Sequence, residues 1–177
     1  LALGEFVAVQ AAVLMRRAEW QEDNDAPRLS LEAENDGFLQ SLPFGLTRAQ
    51  QRCIEEIDSD LRGPHPMLRL LQGDVGSGKT VVAFASMLAA VRSGFQAALM
   101  APTEILAEQH YRSFSRLLGG DEVTPLAGVF VPPWLGRPLR VLLLTGSLSA
   151  AQRQRVRGAA AHGGADSVIG THAPLED

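Results

Sequence analysis

The stretch "LQGDVGSGKTVV", residues 71–82, restricts the fold of this 177-residue chain more than any other. Its spacing is G-x-x-x-x-G-K-[ST], and the residues that meet it are Gly73, Gly78, Lys79 and Thr80. Glycines let successive backbone N–H groups face one concavity, and a helix that begins there adds the positive end of its dipole. An apolar run precedes the pattern and a helical pattern follows it. We therefore predict a strand at 67–72, a phosphate-binding loop and a helix at 79–94.

The loop chemistry predicts a nucleotide site. Lys79 is expected to reach the terminal phosphates and the Thr80 hydroxyl to hold Mg²⁺, so both are candidate catalytic residues, with ATP and Mg²⁺ as expected ligands. Lys79 is the only lysine of the chain, placed where a compact phosphate-binding charge is useful. The predicted nucleotide-binding residues of the loop are Gly73, Asp74, Val75, Gly76, Ser77, Gly78, Lys79 and Thr80.

Composition excludes several other classes of protein. The contents of hydrophobic residues, 46%, and charged residues, 20%, are ordinary for a globular protein. The single cysteine, Cys53, excludes an internal disulfide and is expected to pack in a core. No secretory signal or membrane span is expected, because Glu5 and Gln10 interrupt the apolar N-terminal stretch. His110 and His172 lack the neighbours of a zinc site. We predict a cytoplasmic protein.

The net charge of −4 does not decide whether DNA is a partner. Residues 19–36 hold seven acidic residues and one arginine, and the rest of the chain holds 15 basic and 13 acidic residues. The acidity therefore lies in one segment, and the remainder is mildly basic.

The chain divides into three parts. Residues 1–20 predict a helix that is apolar on most sides and must pack against something. Residues 21–43 are polar and acidic and predict a linker, with a short helix at its end. From residue 44 to 177, strands alternate with helices, which predicts a parallel sheet with helices on both faces. The strands that follow the loop are predicted at 95–102, 140–146 and 166–172, and the helices at 46–61, 103–118 and 149–163.

Three short polar segments follow predicted strands, at 102–104, 145–147 and 170–172. Ligands of parallel sheets bind beyond the carboxyl ends of the strands, so these segments are expected on one edge of the sheet, together with the phosphate loop. Residues 119–139, rich in glycine and proline, break the alternation and predict an insertion or a long loop.

The motif series resembles a superfamily 2 helicase, and within it the RecG family of bacterial branched-DNA translocases. The similar segments are "LPFGLTRAQ", "GDVGSGKT", "MAPTEILAEQH", "LTGSLSAAQR" and "GTHAPLED". The resemblance implies a P-loop NTPase with a RecA-like first motor lobe at 44–177, and ATP-driven remodelling of forks and Holliday junctions in replication restart, repair and recombination. It implies that residues 1–20 link a DNA-binding wedge domain to the motor. It also implies an Asp-Glu (Walker B) motif and a second motor lobe beyond this chain, and a nucleoid-associated location.

The resemblance also implies roles for single residues. Gln50 is expected to contact adenine, although with Thr47 it also fits a helix capping box, and both interpretations stay open. Backbone contacts to branched or double-stranded DNA are expected from hydroxyl groups. The residues concerned are Thr103, Thr145, Ser147 and Thr171, for which capping and loop packing are the structural alternatives. Arg153 and Arg157 share a helix face that could form a DNA-facing patch, although a solvated face is the simpler explanation.

Three other functions stay open. A nucleotide kinase would share the phosphate loop but would not need "APTEILAEQH" or the serial hydroxyl segments. Another superfamily 2 translocase of double-stranded DNA, such as a transcription-repair coupling factor, would share both. Taken alone, residues 1–177 are expected to form a nucleotide-binding module without appreciable hydrolysis.

Overall fold

A computed structural model describes residues 2–22, 26–29, 36–120 and 127–172. In this part of the chain, helices and strands alternate from α3 onwards, apart from the adjacent pairs α3–α4 and β2–β3. The helices are α1 (Ala2–Glu22), α2 (Asp36–Ser41), α3 (Arg48–Leu61), α4 (Lys79–Arg92), α5 (Glu104–Leu117) and α6 (Ala150–Ala161). The strands are β1 (Ala97–Met100), β2 (Ala127–Phe130), β3 (Leu139–Leu144) and β4 (Ser167–Gly170).

The four strands form one sheet in the order β1-β4-β3-β2. β4 pairs in parallel with β1 on one side and with β3 on the other, whereas β2 pairs with β3 in antiparallel fashion. Helices cover both faces. The prediction of an α/β fold is therefore confirmed, with the correction that the sheet is mixed and not wholly parallel.

The core follows from the alternation of side chains along the strands. Leu143 of β3 belongs to the cluster that α4 and α5 cover, where the rings of Phe84 and Phe114 stack with centroids 4.4 Å apart. Its neighbour Leu144 faces the other side and packs in a smaller cluster with Val156 of α6. The sheet thus has one layer of helices on each face, and the segments that follow β1, β3 and β4 lie at the carboxyl ends of these strands.

The prediction of a sheet strand at 67–72, before the phosphate loop, is wrong. No ladder forms there in the described chain, and Leu68 and Leu70 are 61% and 79% exposed. Arg69 instead binds α3, donating to Asp60 (2.7 Å) and Glu56 (2.5 Å). The hydrogen bond with Asp60 raises the pKa of Arg69 above its usual value. An apolar run predicts burial but names no pairing partner, and these residues have none in this structure.

The described part of the predicted insertion at 119–139 contains regular structure. It contains β2, and its Trp134 lies edge-on to the ring of Phe38 at 5.7 Å and beneath the guanidinium of Arg92 at 4.7 Å. Arg137 then binds Asp166, just before β4, at 2.7 Å. Residues 121–126 lie outside the described chain. The remainder of the segment forms the antiparallel edge of the sheet and a turn packed on the core.

The N-terminal region forms the predicted helix. Phe6, Leu14 and Met15 of α1 are each more than half exposed. After the acidic segment, of which residues 23–25 and 30–35 are outside the described chain, α2 buries Phe38 completely in the core. Among the described residues, no helix is both long and apolar enough to cross a membrane.

Candidate functional site

The phosphate loop, residues 73–80, runs directly into α4. Gly76 and Gly78 have φ values of 83° and 80°, in the left-handed region that favours glycine. Gly78 is the N-cap of α4 and no side chain caps this helix end. The N–H of Val81 donates to the Gly78 carbonyl at 3.1 Å, so the N–H groups of Lys79 and Thr80 are the ones at this helix end that could face an anion.

Close packing restricts two glycines of the loop further. A Cβ atom at Gly78 would lie 2.2 Å from Nε2 of Gln50, and one at Gly73 would lie 2.7 Å from Oγ of Ser77. No side chain fits at Gly78 unless Gln50 moves. The loop is thus a tight backbone turn, in which the Ser77 N–H donates to the Asp74 carbonyl at 3.1 Å, and its glycines and lysine are residues that suit the expected nucleotide.

Lys79 folds back over this loop. Its Nζ donates to the carbonyl oxygens of Gly73 at 2.6 Å and Asp74 at 2.8 Å. The ammonium group is therefore held at the loop by neutral acceptors, which phosphate oxygens can replace with stronger charge-assisted hydrogen bonds. Contact between Lys79 and a phosphate group stays a prediction.

Gln50 joins α3 to the phosphate loop. Its Oε1 accepts from the N–H of Thr47 at 2.8 Å, and its own N–H donates to the Thr47 hydroxyl, so the predicted capping box is confirmed. Its Nε2 donates to the Ser77 carbonyl at 2.9 Å. The contact with the loop was not predicted, because it joins residues that are 27 positions apart. A contact with adenine stays a prediction.

Thr80 is the second residue of α4 and is half-buried. Its hydroxyl can supply one ligand to Mg²⁺. Within the described residues, no three His, Cys, Asp or Glu side chains are grouped closely enough to hold a metal ion. The described part of the chain thus fits one side of a magnesium site.

The segments that follow β1, β3 and β4 lie together at the carboxyl ends of these strands, and we call this end of the sheet the rim. Met100 and Leu144 both pair with Gly170, so the three parallel strands end at the same level. The predicted grouping of these polar segments is confirmed. The phosphate loop follows no paired strand, so its expected place on the rim stays a prediction.

The four hydroxyl residues of the rim differ in exposure. Thr103 and Ser147 are exposed, whereas Thr145 and Thr171 are only 1% and 5% exposed. The hydroxyl of Thr103 accepts from the N–H of Leu106 and caps α5, as its position predicts. Thr145 Oγ1 lies 2.9 Å from Ser147 Oγ. Burial therefore speaks against direct ligand contact by the side chains of Thr145 and Thr171 in this conformation.

Two further residues shape the rim. Arg153 NH1 donates to the carbonyls of Gly146 at 3.2 Å and Leu148 at 2.8 Å, so this arginine is not simply solvated. Glu104 of α5 lies where a side chain at Gly146 would stand, with Oε1 2.6 Å from the Cβ position. A signal for Arg153 was present, because it lies in the first turn of α6 and helical side chains lean towards the N-terminus.

A comparison with family models decides the family. The model described as DEAD/DEAH box helicase matches residues 47–177. The chain belongs to the DEAD/DEAH box helicase family. This range includes the phosphate loop, Gln50 and the whole rim. The helicase match agrees with the order of motifs in the sequence.

Within the helicase family, the chain is similar to curated relatives and to a solved structure that are all RecG proteins. It is 50% identical to the ATP-dependent DNA helicase RecG of Streptococcus pneumoniae serotype 4 over 137 residues, which are 77% of this chain and 18% of the relative. It is 42% identical to RecG of Aquifex aeolicus over 98% of this chain and 20% of the relative. The solved structure of RecG bound to a three-way DNA junction has a TM-score of 0.79 and 38% identity, over 98% of this chain and 22% of that chain. The chain thus spans about a fifth of the length of these proteins.

Proposed function

We propose that this chain is the ATP-binding first motor lobe of a translocase that remodels branched DNA in replication restart, repair and recombination. The observation that carries the proposal is the position of Lys79, whose ammonium lies against the carbonyls of Gly73 and Asp74 above a tight glycine turn. Similarity to RecG proteins along 98% of the chain favours branched DNA as the partner. Another double-stranded DNA translocase of superfamily 2 is the nearest alternative.

The loop acts on ATP by position and charge. When the terminal phosphates bind, Lys79 exchanges the two carbonyls for phosphate oxygens and neutralises part of the charge that develops during hydrolysis. Thr80 is the residue of this chain that would hold Mg²⁺, which when bound would help to neutralise the phosphate charge. Gln50 keeps the loop closed from the side of α3 and, in this proposal, also contacts adenine. Further ligands and the second lobe, which the family resemblance implies, complete the catalytic site.

The rim is the proposed DNA contact. Small hydroxyl groups and backbone N–H groups bind phosphate oxygens without reading sequence, as a translocase requires. The exposed Thr103 and Ser147 are the direct side-chain contacts of this proposal. Two buried threonines have a structural role in this proposal. Thr145 contacts Ser147, and Thr171 packs at the end of β4.

The proposed organisation follows the family resemblance. Residues 1–20 link a wedge domain to the motor, residues 21–43 form an acidic linker, and residues 44–177 belong to the first RecA-like lobe. The exposed apolar side chains of α1 support a packing partner for this helix. From the similarity to bacterial RecG proteins we infer a cytoplasmic location, associated with the nucleoid.

Stimulation of ATP hydrolysis by DNA tests this function. In the intact protein, a three-way junction should raise the ATPase rate well above the rate with linear duplex of equal length. Phosphorylation of a nucleotide or another small molecule, without stimulation by DNA, would support the kinase alternative and contradict the proposal.

A second candidate concerns residues 1–177 by themselves. Thr80 is the one magnesium ligand that we assign to residues 1–177, so we expect this chain by itself to form a nucleotide-binding module without turnover. Purified 1–177 should bind ATP weakly, as measured by calorimetry, and hydrolyse it no faster when DNA is added. Robust turnover by this chain alone would refute this second candidate.

A further inference from the structure

Arg153 holds together the turn that presents Ser147. The TGSL turn, residues 145–148, is closed by the N–H of Leu148, which donates to the Thr145 carbonyl at 3.3 Å. Ser147 is exposed at its tip. The carbonyls on both sides of Ser147 accept hydrogen bonds from one nitrogen, NH1 of Arg153. The half-buried arginine thus fixes the backbone before and after the exposed serine.

The helix that carries Arg153 is itself firmly anchored to this turn. The capping box of α6 is complete, with Ser149 N–H donating to Oε1 of Gln152 at 2.9 Å and Gln152 N–H donating to the Ser149 hydroxyl at 3.3 Å. Arg153 N–H donates to the Ser149 carbonyl at 2.9 Å. The base of the arginine side chain is therefore fixed, and its NH1 can determine the shape of the turn.

The geometry points to Arg153 as a positioning residue for DNA binding: it acts through the TGSL turn and not as a ligand of a DNA phosphate. This inference rests on the proposed function, because it needs Ser147 to contact the DNA backbone. A turn held by two hydrogen bonds has fewer conformations to lose when DNA binds, so the arginine raises affinity through preorganisation. The guanidinium charge stays at the carbonyls in both states.

Three substitutions in the intact protein test the inference by fluorescence anisotropy on a three-way junction. Arg153→Met, which removes the donors but keeps an apolar stem, should weaken binding by about five- to tenfold. Arg153→Lys should stay within about threefold of wild type, because one nitrogen makes both bonds. Arg155→Met, an exposed arginine on the same helix, controls for the lost charge and should change affinity by less than about twofold.

Salt dependence separates positioning from direct contact. A lost phosphate contact would lower the slope of log affinity against log salt by about 0.9, whereas a positioning residue leaves the slope unchanged. In a double-mutant cycle, Arg153→Met should cost less than about twofold once Ser147 has been changed to alanine, because both changes act on one contact. Circular dichroism verifies folding, and Arg153→Gln replaces Arg153→Met in every comparison if the methionine variant does not fold.

The outcomes that overturn the inference are distinct. Equal affinity of the Arg153→Met and Arg155→Met variants overturns it, and so does a slope reduced by one phosphate contact, a full effect in the Ser147→Ala background, or failure of lysine to rescue. If the wild-type protein does not bind the junction, the proposed function itself fails. If Ser147→Ala leaves binding unchanged, the assigned rim contact fails while the ATPase function stands, and the role of Arg153 falls with that contact.

Discussion

The phosphate loop and the TGSL turn are both held by a basic side chain that donates to two backbone carbonyls, a lysine in the first and an arginine in the second. Each turn leads into a helix, α4 or α6, and in each a basic side chain of that helix folds back onto two turn carbonyls. Lys79 contacts Gly73 and Asp74, and Arg153 contacts Gly146 and Leu148. In our account Lys79 must leave its carbonyls when phosphate binds, whereas Arg153 keeps them throughout. The same kind of hydrogen bond, from a basic side chain to backbone carbonyls, can thus be exchanged for a ligand in one turn and stabilise the backbone permanently in another.

Exchanging the two cations tests this difference with the largest expected effect. Lys79→Arg keeps the charge but places a planar, larger group over the loop, and should lower the DNA-stimulated ATPase rate by at least about a hundredfold. Arg153→Lys should leave that rate within about threefold of wild type. Steady-state ATPase assays of the intact protein check both, and similar losses in the two variants would contradict the distinction.

Glycine replacements test how tightly the phosphate loop is built. Gly78→Ala should cost about 1–2 kcal/mol for its left-handed backbone, and more for the contact with Gln50. Gly158→Ala, inside α6 with open space around its Cβ position, should instead stabilise by up to about 1 kcal/mol. Denaturant unfolding measures both values. A neutral Gly78→Ala would show that the loop tolerates a side chain.

The two capping boxes supply the third and smallest test. Gln50→Glu keeps an acceptor for the Thr47 N–H but loses the donor to Ser77, and should weaken ATP binding by about tenfold. Gln152→Glu makes the same change in the box of α6, away from the phosphate loop, and should leave ATP affinity unchanged. Calorimetric titration compares the two, and equal affinities would show that the contact between Gln50 and Ser77 does not contribute to ATP binding.

Local features of the fold and the parallel arrangement of β1, β3 and β4 were predictable from the sequence, whereas the pairing of the other segments was not. Both capping boxes and the Thr103 cap follow from residues a few positions apart. The failed strand at 67–72 and the unexpected β2 depend on which strand offers a free edge, and a short apolar run does not contain that information. The topology placed Thr145 on the rim correctly, but its burial depends on packing around it.

The candidate site shows the same division. The phosphate loop could be predicted from spacing alone, because the glycines and the lysine of its pattern lie within a few residues of one another. The contact between Gln50 and Ser77 spans 27 residues, and no local pattern announces it. The contacts of Arg153 with the TGSL turn were not predicted. Helix geometry gives the direction of the side chain, but the carbonyls that it reaches are known only once the turn has been located.

The central claim is that the phosphate loop supplies energy that the rim applies to DNA. It is tested most directly by Lys79→Ala in the intact protein, with junction binding and junction unwinding measured on the same sample. Our account predicts binding within about twofold of wild type, because the rim is intact, and no unwinding, because phosphate charge is no longer neutralised. Unwinding at the wild-type rate would contradict the account.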